Sequence, residues 1–265
     1  SSQGRKDLAK ILKSAQLSNV IASIKLIQDR FTAVDELRKM VFVPSFGANE
    51  RDHLQTHIER HFWLFGEKYH LVTAAEPDFE DALKRYLYVL RGEVKSRKIQ
   101  HPGKNQEMDI FAVRQLKGNH NIETNNIVVE LKHPNLTLGT KELQQVKNYM
   151  DVILKQPEFN AEGMTWDFYL VGKDYDEKIV GEIENAQNHG EKQLVYKTRN
   201  YKIYVFKWSD VLNNFELRHG FVLEKLKLER ACLAAQGTSA DDIIANGHLN
   251  SAALQPATQP LSTVS

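Results

Sequence analysis

The 265-residue chain has one cysteine and no long apolar run, and both shortages limit what it can be. The lone Cys232 excludes an internal disulfide and a cysteine-rich zinc site, and it fits a reducing compartment. No stretch of about 18 apolar residues occurs, and no charged-then-apolar leader opens the chain. We therefore expect a soluble, cytoplasmic protein with no membrane partner.

The chain also has little net charge, since 35 basic and 34 acidic residues leave a formal value of +1. A nucleic-acid footprint would therefore have to be local rather than spread over the whole surface. The content of 42% hydrophobic and 26% charged residues is typical of a globular protein. This length allows one large domain or two small ones.

Candidate catalytic residues lie at the ends of two apolar runs near the middle of the chain. Asp109 precedes Ile110–Val113, whereas Glu130 and Lys132 close Ile127–Leu131 with the spacing E-x-K. Residues two apart in a strand share a face, so Glu130 and Lys132 are expected to project together. If the two runs pair as a hairpin, Asp109 lies beside Glu130.

Two carboxylates and one ammonium suit phosphodiester hydrolysis. Carboxylate oxygens bind Mg²⁺, with Mn²⁺ as a substitute, and a lysine orients the attacking water or stabilises charge on the phosphate. The alternative is that Asp109 merely starts a strand while Glu130 and Lys132 form an exposed ion pair. The E-x-K spacing is short and common, so it does not decide between them alone.

A predicted helix from Lys141 to Leu154 follows the strands, with a buried stripe of Leu143, Val146, Met150 and Ile153. Gln145 and Tyr149, four residues apart, share one face of it. Gln145 lies off the buried stripe and is a candidate to orient a water or a phosphate. Tyr149 is either a nucleic-acid contact or a structural residue at the edge of the stripe.

An acidic residue, an E-x-K strand and a helix with Q-x-x-x-Y together resemble the PD-(D/E)xK nuclease superfamily. The segment Glu59–Tyr69, with VELKHP after it, resembles the Shedu anti-phage defence nucleases in particular. The resemblance covers roughly Asn49–Phe221, and Met108 stands where the superfamily motif has proline. It implies an α/β, restriction-endonuclease-like PD-(D/E)xK core, a mixed central sheet flanked by helices, with an N-terminal helical segment.

The resemblance also implies function. We expect a Mg²⁺-dependent DNA endonuclease of anti-phage defence, forming a homotetramer, with catalytic residues Asp109, Glu130, Lys132 and Gln145 and metal ligands Asp109 and Glu130. In the superfamily the helix before the strands often adds a carboxylate, here Glu50 or Glu59. Glu50 is preferred because the Shedu-like pattern has an acidic residue at that end of the helix. For both residues, the pattern favours a solvated charge on the helix face over a metal ligand.

Two basic runs are candidate nucleic-acid contacts. Residues 84–104 hold seven lysines or arginines against one acidic residue, and the candidates there are Lys95, Arg97, Lys98 and Lys104. Residues 192–207 hold five basic residues interleaved with aromatics, which suits either a single-strand grip or a half-buried hairpin. A solvated helix and loop explains the first run as well.

The predicted organisation is an N-terminal helical segment (1–45), a nuclease domain (46–221), the end of a C-terminal helix (222–236) and a polar tail (237–265). The apolar stripe of the N-terminal segment would cover the core, join another subunit or meet an upstream domain. Alternatives to the enzyme are a catalytically silent nucleic-acid-binding module and an oligomeric scaffold.

Overall fold

The described residues of this computed structural model form a mixed sheet between two layers of helices. They are residues 3–4, 6, 17–67, 69–73, 78–92, 98–117, 122–186, 190–226 and 241. Most of the N-terminal helical segment before residue 17, residues 227–236 and nearly all of the predicted tail lie outside them. Within the described part, no helix is both long and apolar enough to cross a membrane.

The helices and strands are numbered in chain order. The helices are α1 Leu17–Phe42, α2 Thr56–Arg60, α3 Phe79–Arg91, α4 Thr140–Leu154, α5 Glu177–Ala186 and α6 Trp208–Leu226. The strands are β1 His70–Thr73, β2 Ile110–Lys117, β3 Ile122–Leu131, β4 Thr137–Leu138, β5 Met164–Gly172, β6 Asp174–Tyr175, β7 Leu194–Lys197 and β8 Tyr201–Lys207.

The large sheet has the order β1-β2-β3-β5-β8-β7, and β4 pairs separately with β6. Strands β3, β5 and β8 are parallel, whereas β1, β2 and β7 join by antiparallel pairing. The predicted mixed sheet is thus confirmed, as is the predicted hairpin of β2 with β3. Because parallel strands end at the same edge, the ends of β3 and β5 bring the segments that follow them close together.

Alternating apolar residues give the sheet a hydrophobic core on each face. On one face, Phe111, Val113 and Val128 pack with residues of α3, α4 and α5. On the other face, Ile110, Ala112, Ile127 and Val129 pack with α1, α6 and the segment around α2. A fully buried side chain of this kind contributes roughly 1.5–3 kcal/mol, so both layers hold the sheet firmly.

Helix α1 covers the second face of the sheet. Its buried residues include Phe31, whose ring meets Phe215 of α6 edge-on with centroids 5.2 Å apart. Part of the apolar stripe predicted for this segment, from Phe31 to Leu37, therefore covers the core, whereas Ile21 near the start of the helix is 46% exposed.

The sequence predicts a helix from Glu50 to about Phe62 with Asn49 as its N-cap, and the structure is helical over most of this stretch but not as one regular α-helix. The chain instead forms a π-helical segment, Glu50–Gln55, then the short α2, then a 3₁₀ turn, Phe62–Phe65. Asn49 begins the segment as predicted, because its side chain accepts a hydrogen bond from the Asp52 amide at 2.8 Å. Its carbonyl accepts from the Leu54 amide, five residues on, at 3.1 Å, which widens this turn.

Candidate active site

The hairpin register places the two predicted carboxylates opposite each other. Ile110 pairs with Val129, so the next position in register pairs Asp109 with Glu130. Directly opposed residues of an antiparallel pair point to the same face. The Leu131 amide donates a 2.6 Å hydrogen bond to Asp109 Oδ2, which fixes that carboxylate at the end of β3.

Glu130 is the centre of a buried hydrogen-bond network and is only 3% exposed. Its Oε1 accepts from Lys132 Nζ at 2.5 Å and from Gln145 Nε2 at 2.7 Å. Its Oε2 lies 2.9 Å from the Tyr149 hydroxyl, which is also 2.6 Å from the Glu107 carbonyl oxygen. Helix α4 thus delivers two side chains to a carboxylate on β3, and the pair predicted as exposed in the alternative interpretation is buried.

Burial and like charge dominate the electrostatics of the strand ends. Burial raises the pKa of Asp109 well above its ordinary value, and the charge of Glu130 adds to this rise. Burial also raises the pKa of Glu130, although the Lys132 ammonium offsets part of the effect. Burial by itself would lower the pKa of Lys132, but attraction to Glu130, Glu50 and Asp109 raises it overall. Lys132 therefore remains an ammonium at neutral pH.

Glu50 reaches the same site from the π-helical segment. Its Oε2 accepts a 2.5 Å hydrogen bond from the His133 amide, and its Oε1 lies 4.0 Å from Lys132 Nζ. Glu59 instead accepts a 3.2 Å hydrogen bond from the Gln55 side chain. The structure therefore brings Glu50, rather than Glu59, beside the lysine of the E-x-K pair.

The predicted set of three carboxylate ligands is not assembled. Within the residues that the structure describes, no group of three or more His, Cys, Asp or Glu side chains is placed to hold a metal. Glu50 is engaged with the His133 amide, and its negative charge adds to the rise in the pKa of Asp109 and of Glu130, so it lies near them without completing a three-carboxylate group. The latter two still suit Mg²⁺, which prefers hard oxygens and keeps several waters, and a cation would relieve the repulsion that raises the pKa of Asp109.

An open cleft of about 570 Å³ leads to this network, and we call it the α4 cleft. Its lining consists of Glu50, Gln106, Lys132, Leu136, Lys141, Glu142, Gln144, Gln145 and Asn148. Lys132 and Gln145 both line the cleft and bond to Glu130 beneath them. A ligand in the α4 cleft would therefore meet the ammonium and the amide before the buried carboxylates.

The structure describes only some of the residues predicted to contact nucleic acid. Lys95 and Arg97 lie outside the described residues, and Lys98 is exposed. Lys104 forms a 3.1 Å ion pair with Glu80, which occupies its charge. Tyr149 is 1% exposed and its hydroxyl is used inside the network, which favours the structural interpretation of this residue over a nucleic-acid contact.

The second basic run is also largely paired. Lys197 and Lys202 bind the two carboxylate oxygens of Glu191 at 2.9 and 3.0 Å, and the Tyr204 hydroxyl donates to the same group. Residues Tyr201 and Ile203 are buried in β8. The half-buried hairpin is thus the interpretation that the structure supports.

Five polar residues of the cleft were not predicted from the sequence: Gln106, Lys141, Glu142, Gln144 and Asn148. Three of them belong to a polar stripe on α4, at positions 141, 144 and 148, which also contains Gln145. That i, i+3, i+4, i+7 spacing was present in the sequence and is a usable signal. The sequence did not indicate which surface the stripe faces.

Comparison with known proteins identifies no family. No family model matches the chain, and no curated protein does. Among solved structures the chain is similar to MspJI restriction endonuclease in complex with a 27-mer oligonucleotide, at 10% identity and a TM-score of 0.34. The match covers 88% of this chain and 36% of that one, so the chain spans about a third of that enzyme's length. A TM-score of this size does not establish a common fold.

Proposed function

We propose that this protein is a metal-dependent nuclease of the PD-(D/E)xK type that hydrolyses DNA phosphodiester bonds. The observation that carries the proposal is the meeting of Asp109, Glu130 and Lys132 at adjoining strand ends beneath the α4 cleft. Buried carboxylates with raised pKa values beside a lysine are costly to keep, and such clusters concentrate at functional sites.

Each residue has a distinct role in this proposal. Asp109 and Glu130 would hold Mg²⁺ or Mn²⁺. When bound, the ion would polarise a phosphoryl oxygen and activate a water. Lys132 stabilises negative charge on the phosphate or positions the attacking water, since its ammonium reaches the cleft. Gln145 orients Glu130 through their 2.7 Å hydrogen bond, and Tyr149 supports the same carboxylate from below.

The test is cleavage of linear, nicked and circular DNA with Mg²⁺, Mn²⁺ or EDTA. We expect the parent to cut only with metal, and Glu130→Gln and Lys132→Met to lose at least about a hundredfold in rate, the scale of one electrostatic or acid–base contribution. Lys147→Met, on the same helix, is the matched control and should cut normally. Equal cutting by parent and both site variants would refute the assignment, provided that all fold.

A second candidate is a catalytically silent nucleic-acid-binding module. The observation in its favour is that Glu50 does not join Asp109 and Glu130 as a third carboxylate within the described residues. It predicts DNA binding that survives EDTA, with no product in any metal. The same cleavage series therefore separates the two candidates.

The anti-phage role, the Shedu relationship and the homotetramer are further parts of the proposal. They rest on the likeness of Glu59–Tyr69 and the VELKHP segment to that family. Light scattering of the purified protein would measure the subunit number. Phage plating on cells that produce either the parent protein or the Lys132→Met variant would test defence. A monomer, or equal protection by the variant, would remove the corresponding part while leaving the nuclease proposal intact.

A further inference from the structure

Helix α4 presents a continuous polar stripe to the α4 cleft. Lys141, Gln144, Gln145 and Asn148 lie at i, i+3, i+4 and i+7, and all four line the cleft. The opposite side of the helix is apolar and buried in the first core. Only Gln145 of the four bonds to Glu130, so the stripe extends beyond what the catalytic network uses.

Two amides of the stripe hold each other in a defined orientation. Gln144 Nε2 donates to Asn148 Oδ1 at 2.9 Å, one helical turn apart. This bond leaves the Gln144 carbonyl oxygen as an acceptor and the Asn148 amide nitrogen as a donor, and both residues line the cleft. An adjacent acceptor and donor match the edge of a nucleic-acid base, above all adenine, which offers a donor at N6 and an acceptor at N7.

Lys141 supplies positive charge at the same wall. It is exposed, and among the described residues it makes no ion pair or side-chain hydrogen bond. The other lysine of the cleft, Lys132, is already bound to Glu130 at 2.5 Å. The neighbouring Glu142 is engaged with the Gly139 amide at 3.0 Å. Lys141 is therefore placed to bind an anionic group that enters the cleft.

The stripe is long enough to span more than one nucleotide. Seven residues of helix separate Lys141 from Asn148, which is about 10 Å at 1.5 Å per residue. Successive nucleotides of one DNA strand are about 3.4 Å apart along the axis. We infer that this wall reads the DNA next to the cut: Lys141 binds a backbone phosphate, and Gln144 with Asn148 binds a base edge and favours adenine. The inference rests on the proposed function for its substrate, but its test does not need cleavage.

The first experiment measures DNA affinity against salt concentration, with Ca²⁺ in place of Mg²⁺ to slow cutting. Loss of one phosphate contact should reduce the slope of log K against log salt by about 0.9 on duplex DNA, or about 0.7 on a single strand. We expect this change, and affinity roughly three- to tenfold lower at physiological salt, for Lys141→Ala. Lys147→Ala removes a lysine from another face of α4 and should leave the slope unchanged.

The second experiment selects bound sequences from a randomised DNA pool. The parent should enrich adenine at one or two positions, and Gln144→Ala combined with Asn148→Ala should flatten that preference by about fivefold or more, as one lost base contact does. Urea unfolding of each variant checks that the helix is intact.

The outcomes separate this inference from the nuclease proposal. If the variants keep the parent's salt slope and base preference while metal-dependent cutting is intact, the DNA-binding role of the α4 stripe is refuted and the nuclease proposal stands. If the variants change the salt slope and the base preference but the parent cuts no DNA, the role of the α4 stripe in DNA binding is supported and the nuclease proposal is refuted. A protein that binds no DNA would overturn both.

Discussion

Replacing Lys132 by methionine should destabilise the protein strongly, because it leaves the Glu130 carboxylate buried without its ion partner. The two side chains are 12% and 4% exposed, so water screens the pair little. Removing one member of a buried pair costs roughly 3–5 kcal/mol. Gln145 and Tyr149 still donate to Glu130, so we expect the lower end, about 3 kcal/mol, in the free energy of unfolding.

The loss should depend on pH in a definite direction. Burial already raises the folded-state pKa of Glu130, and removal of Lys132 raises that pKa further. A group whose pKa is higher when folded contributes stability below its unfolded pKa and loses it as pH rises through the folded pKa. The variant should therefore approach the parent near pH ~4 and differ most above neutrality.

Urea unfolding at several pH values measures both effects. A double-mutant cycle with Glu130→Gln should give a coupling energy of about 1–3 kcal/mol, because the double variant no longer buries an unpaired charge. Lys147→Met, as a surface control, should change stability by less than about 0.5 kcal/mol. A loss that is the same at every pH, with additive single changes, would refute the claim that Lys132 acts on the charge of Glu130.

Four further substitutions test the same framework, each measured by urea unfolding. Asp109→Asn should stabilise the protein at pH 7, because burial raises the pKa of the native carboxyl. The gain in stability should vanish at pH ~4, and an equal gain at the two pH values would contradict this prediction. Tyr149→Phe should cost about 1.5–3 kcal/mol through a lost hydrogen bond to a charged group, and no change would mean that the hydroxyl is dispensable. Gly172→Ala should cost about 1–3 kcal/mol, since its Cβ would lie 2.6 Å from Leu138, whereas Gly181→Ala meets nothing within 4 Å and should stabilise its helix by about 0.4–1 kcal/mol.

Local patterns were sufficient for the strands and for the centre of the site. Two apolar runs predicted β2 and β3, the two-residue period of a strand placed Glu130 and Lys132 on one face, and the hairpin register sets Asp109 opposite Glu130. The predicted α4, Lys141–Leu154, differs from the observed helix by one residue, because its apolar stripe is regular. Such features depend on neighbours within a few positions, which a sequence displays directly.

Contacts between distant segments were decided only by tertiary packing. Glu50 reaches the His133 amide across 83 positions of chain because a π-helical segment packs against the end of β3. Helical spacing placed Gln145 and Tyr149 on one face, but only the packing of α4 on the sheet buried the tyrosine. Periodicity states which side chains share a face, whereas the partner of that face depends on how whole elements pack. For that reason the sequence indicated a carboxylate–lysine site, and the three-dimensional arrangement determined its cleft, its polar wall and the hydrogen bond that holds Glu50 to the His133 amide.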